Sequence, residues 1–192
     1  MQALLQCGIR RSVMKKAVFF DRDGVINKDL GYVYRQEDFI FNEGIFDALR
    51  FCKEQGFLLF VVTNQSGIGR GYYTLGDFKA LTAYMQQELQ SKLGFGFDSV
   101  YFCPHTEEED CICRKPRAGM IDQAKKDYDI KLGECFIIGD KITDMQAGQA
   151  GGIRHKLLVG KLPKERFAKI DNLHILPNTL AICESMQTIL SL

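Results

Sequence analysis

The sequence predicts an α/β fold in which a doubly wound, mostly parallel sheet lies between two layers of helices. Short runs of consecutive apolar residues alternate along the chain with segments of helical spacing. Strands that are apolar at every position are typical of parallel sheets, because helices cover both faces of such sheets. Polar residues follow directly after several of these runs, at the edge where open α/β sheets bind ligands.

The first half of the chain supplies two predicted strands and two predicted helices. Residues 17–21 begin as an apolar run, and residues 57–63 are apolar up to the last position, so each predicts a buried strand. Residues 44–55 have apolar side chains at helical spacing and are followed by a glycine that stops a helix. A second helix begins at Thr74 or Asp77, both good N-caps, and runs to about Leu93.

The second half repeats the alternation and leaves no room for a large inserted domain. Its apolar runs predict strands at 99–103, 135–139 and 157–159, and its helical patterns cover 118–129, 142–150 and 178–190. We therefore expect a single, capless domain over residues 14–192. Residues 1–13 carry two arginines and no acid, as a transit peptide also does, but we expect them to be a disordered extension.

Composition indicates an ordinary soluble globular protein. The 192 residues are 46% hydrophobic and 26% charged, which suits one domain with its own core. The net charge of +1 gives no field that would favour nucleic acid or an anionic membrane. Seven cysteines, an odd number without a secretory segment, favour a reduced, cytoplasmic location. We expect a monomer with no nucleic-acid or membrane partner.

Two carboxylates follow the first predicted strand. Asp21 and Asp23 are two positions apart, so the period of a strand would point both side chains the same way. Like charges so close require a compensating cation or a shared proton. This arrangement indicates a site for a metal ion and a nucleophile.

A second acidic pair follows the strand that ends at residue 139. Asp140 and Asp144 are four positions apart at the start of a helix, where they share one face. Asp140 together with Asp21 and Asp23 would make an oxygen-rich site suited to Mg²⁺. Taken alone, the pair is better explained as charges that stabilise a helix N-terminus.

A hydroxyl and a lysine add candidate phosphate contacts. Thr63 ends the second strand, and the polar turn that begins at Asn64 offers N–H and hydroxyl groups to a phosphoryl oxygen. Lys115 is a point cation that can neutralise phosphate charge. Singly, each also fits an ordinary strand end or a surface lysine.

The loop over residues 103–113 contains a candidate zinc site. Cys103 and His105 are followed, after five residues, by Cys111 and Cys113. Three thiolates and one imidazole complete a tetrahedral set for structural Zn²⁺, and scattered thiols in a reduced loop are the alternative. Because the loop leads directly to Arg114 and Lys115, zinc would position both cations.

Taken in order, these motifs resemble those of the haloacid dehalogenase superfamily of phosphotransferases. The resemblance covers about residues 16–160: Asp-x-Asp-Gly, a strand-end Thr, Lys before Pro, then Gly-Asp-x-x-x-Asp. The cysteine-histidine loop before Arg-Lys-Pro is similar to the capless branch that contains heptose 1,7-bisphosphate and histidinol-phosphate phosphatases. The stretches 23–33 and 63–71 resemble the heptose enzymes, whereas the five-residue zinc gap resembles the histidinol enzymes.

The resemblance implies a role for each motif residue. Asp21 would be the nucleophile that forms an aspartyl-phosphate, and Asp23 the general acid and base. Thr63 and Lys115 would stabilise the phosphoryl oxygens. Mg²⁺ would be bound by the Asp21 carboxylate, the Asp23 main-chain carbonyl and Asp140, with Asp144 supporting Lys115 or metal-bound water. Implied substrate contacts are Arg22, Asp29, Leu30, Gly31, Tyr32, Thr63, Asn64, Gln65, Ser66, Arg114, Lys115 and Lys141.

The implied activity is Mg²⁺-dependent removal of the C7 phosphate of D-glycero-D-manno-heptose 1,7-bisphosphate, on a route to ADP- or GDP-heptose for lipopolysaccharide core or surface glycans. Histidinol-phosphate phosphatase is the alternative enzyme. A DNA 3′-phosphatase, or a zinc-stabilised nucleic-acid-binding module, is disfavoured by the near-neutral charge and the absence of tryptophan. The intact aspartates of the first motif argue against an inactive interaction protein.

Overall fold

A computed structural model describes residues 14–160 and 169–192. Within these ranges the chain forms a six-stranded parallel sheet in the order β3-β2-β1-β4-β5-β6. The strands are β1 (Ala17–Phe20), β2 (Leu58–Asn64), β3 (Ser99–Cys103), β4 (Phe136–Gly139), β5 (His155–Val159) and β6 (Leu173–Leu176). The expected disordered extension, residues 1–13, lies outside the described residues.

Helices cover both faces of this sheet. They are α1 (Ile45–Glu54), α2 (Ser66–Gly69), α3 (Leu75–Leu93), α4 (Gly119–Asp127), α5 (Ile142–Ala150) and α6 (Ile182–Leu190). Strand residues alternate between two cores: Val18 and Phe20 pack with α1, α3 and α6, whereas Ala17 and Phe19 pack with α4 and α5. The three-layer, doubly wound prediction is confirmed.

The strand order reverses between β1 and β4. Both are central strands, and Phe20 is in register with Val61 of β2 on one side and Ile138 of β4 on the other. In doubly wound sheets the crevice beyond such a reversal is the usual ligand site. The long connections after β1 and β3 are loops in which the described residues form one short 3-10 helix, Gln36–Asp38, and no inserted domain. The capless prediction therefore agrees with the structure.

Several predicted boundaries were wrong, and one strand was missed. β5 begins at His155 rather than at 157, because the Lys156 ammonium is buried and donates to the carbonyls of Arg154 and Asp171 at 3.2 and 3.0 Å. β6 was not predicted, because four residues that include a histidine carry no clear period. The short helix α2 was also missed. In the described ranges, no helix is long and apolar enough to cross a bilayer.

Candidate active site and cysteine-histidine cluster

A cavity of about 830 Å³ opens at the carboxyl edge of the sheet. Residues from the loops after β1, β2, β3 and β4 line it, because the carboxyl ends of parallel strands lie at the same edge of the sheet. Most of the predicted site residues line it: Asp21, Asp23, Asp29, Gly31, Tyr32, Thr63, Asn64, Gln65, Ser66, Arg114, Lys115, Lys141 and Asp144. The predicted contacts Arg22 and Leu30 and the predicted metal ligand Asp140 are outside this lining.

Lys115 is the central cation of the buried end of the cavity. Its Nζ lies 2.9 Å from Asp21 Oδ1 and 2.6 Å from Asp144 Oδ1, and it donates to the carbonyl of Val62 at 2.8 Å. The lysine and both aspartates are buried. Asp144 also accepts the backbone N–H of Lys141 at 3.0 Å, which caps the start of α5. Asp144 therefore contacts the lysine and also stabilises the helix end.

The carboxylates carry more negative charge than Lys115 neutralises. Burial raises the pKa of Asp21 to about 7, although Lys115 opposes the shift, and the nearby carboxylates of Asp144 and Asp140 raise it further. Burial likewise raises the pKa of Asp140 to about 6, with Lys141 opposing. Two neighbouring carboxyls with raised pKa values indicate a site that a further cation would stabilise.

The residues fit a divalent cation such as Mg²⁺. Oxygens of Asp21, Asp140 and Asp144 lie within 4.8 Å of one another, and hard oxygen ligands are those that Mg²⁺ prefers. Asp140 Oδ1 is buried without a hydrogen-bond partner among the described residues. Gly24, at φ +92°, leaves room for this carboxylate, because a Cβ there would collide with Asp140 Oδ2.

Asp23 lies in a different environment from Asp21. The Arg22 guanidinium spans the Asp23 carboxylate, with Nη2 2.9 Å from Oδ2, and Asn27 Nδ2 and Gln65 Nε2 each donate to it at 3.0 Å. Arg22 is buried and also donates to the carbonyl of Val33 at 2.7 Å. The arginine therefore faces Asp23 rather than the cavity, and the geometry favours a positioning role over the predicted substrate contact.

Thr63 is tied to the same network. Gln65 Nε2 donates to Thr63 Oγ1 at 2.8 Å, and the Tyr73 hydroxyl donates to Gln65 Oε1 at 2.6 Å. Neither Tyr73 nor Asn27 was singled out from the sequence. Asn27 follows closely on the Asp-x-Asp-Gly motif, which was an available signal, whereas Tyr73 reaches Gln65 only through the fold of α2 and the turn after it.

The more exposed end of the cavity is lined by paired charges. Lys141 Nζ is 2.9 Å from Asp29 Oδ2, and Arg114 Nη2 is 2.8 Å from Glu107 Oε1. Partial burial alone would raise the pKa of Asp29, but the hydrogen bond from Lys141 holds it below its ordinary value. Arg117, which was not predicted, pairs with Asp110 and also lines the cavity.

The four predicted zinc ligands come together after β3. The Sγ atoms of Cys103, Cys111 and Cys113 are 3.2–3.4 Å apart, and His105 Nδ1 is 3.3 Å from Cys113 Sγ. Burial raises the pKa of the Cys103 and Cys113 thiols. At Cys111 burial is outweighed by hydrogen bonds from these two residues, and its pKa falls to about 7. A bound cation would favour the thiolate form of the two thiols whose pKa is raised. Three sulfurs and one imidazole nitrogen in such a group suit tetrahedral Zn²⁺.

The cysteine-histidine loop is hydrogen-bonded directly to residues that line the cavity. The side-chain amide of Asn64 makes two hydrogen bonds of 3.0 Å with the main chain of Lys115. Asn64 Nδ2 donates to the Lys115 carbonyl, and the backbone N–H of Lys115 donates to Asn64 Oδ1. The backbone N–H of Gln65 donates to the carbonyl of Cys103 at 2.7 Å, and Arg114 Nη1 donates to that of His105 at 3.3 Å. The loop therefore sets the position of the Lys115 backbone relative to β2.

Comparisons with known proteins identify the family. A family model described as HAD-hydrolase-like matches residues 112–175. D-glycero-beta-D-manno-heptose-1,7-bisphosphate 7-phosphatase of Helicobacter pylori (strain 26695) is 51% identical over 148 residues, which are 77% of this chain and 86% of that protein. The corresponding enzyme of Campylobacter jejuni, named for the alpha anomer, is 48% identical over 150 residues, which are 78% of this chain and 86% of that protein.

Solved structures show the same fold. D,D-heptose 1,7-bisphosphate phosphatase from B. bronchiseptica, complexed with magnesium and phosphate, superposes with a TM-score of 0.78 at 27% identity, covering 91% of this chain and 99% of that one. A HAD-like phosphatase from Mesorhizobium loti has a TM-score of 0.82 at 29% identity, over 93% and 87% of the two chains. The chain therefore belongs to the haloacid dehalogenase superfamily of phosphatases, in its family of D-glycero-D-manno-heptose 1,7-bisphosphate 7-phosphatases.

Proposed function

We propose that this phosphatase removes the C7 phosphate of D-glycero-D-manno-heptose 1,7-bisphosphate, on a route to ADP- or GDP-heptose for lipopolysaccharide core or surface glycans. The observation that carries the proposal is the ion pair of Lys115 with Asp21, in a cavity whose more exposed end holds Arg114 and Lys141. Cations at both ends suit a substrate with two phosphates. The relatives named for this reaction support the choice of sugar.

Asp21 attacks phosphorus in line, which forms an aspartyl-phosphate and releases the sugar oxygen. Asp23 donates a proton to that oxygen and later accepts one from the water that hydrolyses the intermediate. Lys115 and Thr63 hold the phosphoryl oxygens while negative charge builds on them. At the exposed end, Arg114 offers a planar fork to the second phosphate.

We further propose that Mg²⁺ is held by the carboxylates of Asp21 and Asp140 and the main-chain carbonyl of Asp23. When bound, it supplies positive charge that neutralises the phosphate and lowers the pKa of Asp21. The B. bronchiseptica enzyme, whose structure is complexed with magnesium and phosphate, supports this choice of ion. We assign Zn²⁺ a structural role on Cys103, His105, Cys111 and Cys113, a set with no open position for water.

A phosphate-release assay tests the proposal. With Mg²⁺ present, the protein is incubated with the alpha and beta anomers of heptose 1,7-bisphosphate, histidinol phosphate and fructose 1,6-bisphosphate. We expect the highest kcat/KM with one heptose anomer, and product analysis should show loss of the C7 phosphate. Higher kcat/KM with histidinol phosphate would instead identify the histidinol enzyme.

Asp21→Asn tests the mechanism, and Asp47→Asn is its matched control, because Asp47 is exposed on α1. An amide in place of the Asp21 carboxylate cannot form the aspartyl-phosphate, so we expect turnover to disappear while the far-ultraviolet circular dichroism stays unchanged. Asp47→Asn should keep wild-type turnover. Full activity of Asp21→Asn would contradict the nucleophilic role.

A further inference from the structure

A chain of hydrogen bonds leads from Tyr73 to Asp23. The Tyr73 hydroxyl is 2.6 Å from Gln65 Oε1, and Gln65 Nε2 is 3.0 Å from Asp23 Oδ2 and 2.8 Å from Thr63 Oγ1. Tyr73, Gln65 and Thr63 are all buried. Tyr73 had no role predicted from the sequence, and the reaction steps above do not use it.

The chemistry of the Gln65 amide determines which group donates in each of these hydrogen bonds. A carboxylate only accepts hydrogen bonds, so Gln65 must turn its NH₂ group toward Asp23 and its oxygen away. The Tyr73 hydroxyl meets that oxygen as a donor. Burial raises the pKa of Tyr73 to about 12, so the hydroxyl keeps the proton that it donates. Without this donor, the amide loses the contact that holds it in the productive orientation.

The ring of Tyr73 is itself fixed. It stacks on Tyr34, with ring centroids 5.3 Å apart and an angle of 8° between the planes. It also lies against Gly67, where a Cβ would collide with the ring. Packing on both sides therefore fixes the position of the Tyr73 hydroxyl. Because Gly67 belongs to α2, the point at which this hydroxyl contacts Gln65 depends on where α2 lies.

We propose that Tyr73 is a positioning residue that acts through Gln65 to hold the Asp23 carboxyl toward the leaving oxygen of the substrate. The inference rests on the proposed role of Asp23 as the general acid. In that step the Asp23 proton moves to the sugar oxygen as the phosphorus–oxygen bond breaks and the bond from Asp21 to phosphorus forms. A displaced carboxyl delivers this proton less effectively.

Two substrates with different leaving groups distinguish a positioning role of Tyr73 from a merely structural one. A sugar alkoxide must be protonated as it leaves, whereas p-nitrophenolate leaves as a stable anion. The ratio of kcat/KM measured with heptose 1,7-bisphosphate to that measured with p-nitrophenyl phosphate therefore reports proton donation. Since kcat/KM includes steps only up to phosphoryl transfer to Asp21, later hydrolysis does not mask the effect.

Tyr73→Phe removes the hydroxyl and keeps the ring. We expect kcat/KM for the sugar bisphosphate to fall about 10-fold or more, and that for p-nitrophenyl phosphate to fall less than about 3-fold. Tyr128→Phe is the matched control, because it deletes a hydroxyl that donates to the carbonyl of Asp98 at 3.0 Å, at the opposite edge of the sheet. It should leave the ratio unchanged.

Gln65→Met provides a second test that does not depend on the stability of Tyr73→Phe. It removes the amide while keeping similar length and should lower the same ratio. An equal loss with both substrates in the two variants would overturn the positioning role and leave only a structural one.

Asp23→Asn separates this inference from the proposed function. If Asp23 is the general acid, the variant loses about 10²-fold or more with the sugar substrate and much less with the aryl phosphate. A selective loss in Asp23→Asn without one in Tyr73→Phe would overturn the inference alone. Absence of selectivity in Asp23→Asn would overturn the proposed role of Asp23 and the inference with it.

Discussion

The Lys115 ammonium and the Asp21 carboxylate form a buried ion pair, with Nζ 2.9 Å from Oδ1. Burial of Lys115 would lower its pKa, but the charges of Asp144 and Asp21 raise it above the ordinary value, so the lysine stays protonated. The cation reaches the site from the end of the cysteine-histidine loop, whereas the carboxylate follows β1. The Lys115 side chain therefore links the buried charges of the cavity to the structure of the cysteine-histidine loop.

Lys115→Met should destabilise the protein by about 3–5 kcal/mol, because it leaves Asp21 and Asp144 buried without their cation. Urea unfolding in EDTA at pH 8 measures this change. Lys53→Met is the control: Lys53 forms a half-exposed pair with Asp98 at 3.3 Å, and its loss should cost less than about 1 kcal/mol. Equal changes in the two variants would show that the buried Lys115 ion pair contributes no more to stability than the half-exposed pair of Lys53.

Asp21→Asn should stabilise the metal-free protein at pH 8. The pKa of Asp21 is about 7 in the folded chain, against an ordinary value of 3.8 for an aspartate, so the folded state binds the proton more tightly. The stability that this proton contributes is present below pH 3.8 and is lost as the pH rises through 7. A neutral Asn avoids that loss.

We expect a Tm gain of about 4–8 °C for Asp21→Asn in EDTA at pH 8, which corresponds to about 2 kcal/mol. The gain should shrink as the pH is lowered from 8 to 5. Scanning calorimetry at both pH values measures it, with Asp47→Asn as the exposed control. A gain that grows at pH 5 would contradict the sign of the shift.

Mg²⁺ should raise the Tm of the wild-type protein, because an ion that binds only the folded chain stabilises it by mass action, by about 2.7 kcal/mol at 100 times its Kd. Asp140→Asn should abolish most of this rise, since it removes a carboxylate whose Oδ1 has no partner among the described residues. Asp122→Asn, on the exposed side of α4, is the control. An undiminished Mg²⁺ response in Asp140→Asn would exclude this residue as a ligand.

Cys113→Ser should lower the zinc content from about one ion per chain and reduce kcat/KM by about 10-fold or more. The physical reason is that the loop then no longer holds Arg114 and Lys115 in place. Metal analysis and phosphate release measure the two effects. Cys183→Ser, a half-buried cysteine on α6, should change neither. Normal activity in a zinc-free Cys113→Ser protein would refute the link between loop and cavity.

The sequence was sufficient to predict β1 to β4, because each is a short, mostly apolar run that contains aromatic or β-branched residues and is too short for a typical helix. It failed at the amino end of β5 and at β6. Lys156 looks like a surface residue in the sequence, and only the carbonyls of Arg154 and Asp171, brought to its ammonium by the fold, make its burial favourable.

The candidate site, like the strands, was predictable from the sequence only in part. The residue types and their positions after strands are local properties, so the sequence by itself determined that Asp21, Asp23, Asp140 and the four loop ligands meet at one edge. The tertiary structure decided the pairing: Asp21 meets Lys115, whereas Asp23 meets Arg22 and, through Gln65, Tyr73. Such pairings depend on strand order, burial and the packing of aromatic rings. These features exist only once distant segments of the chain have come together.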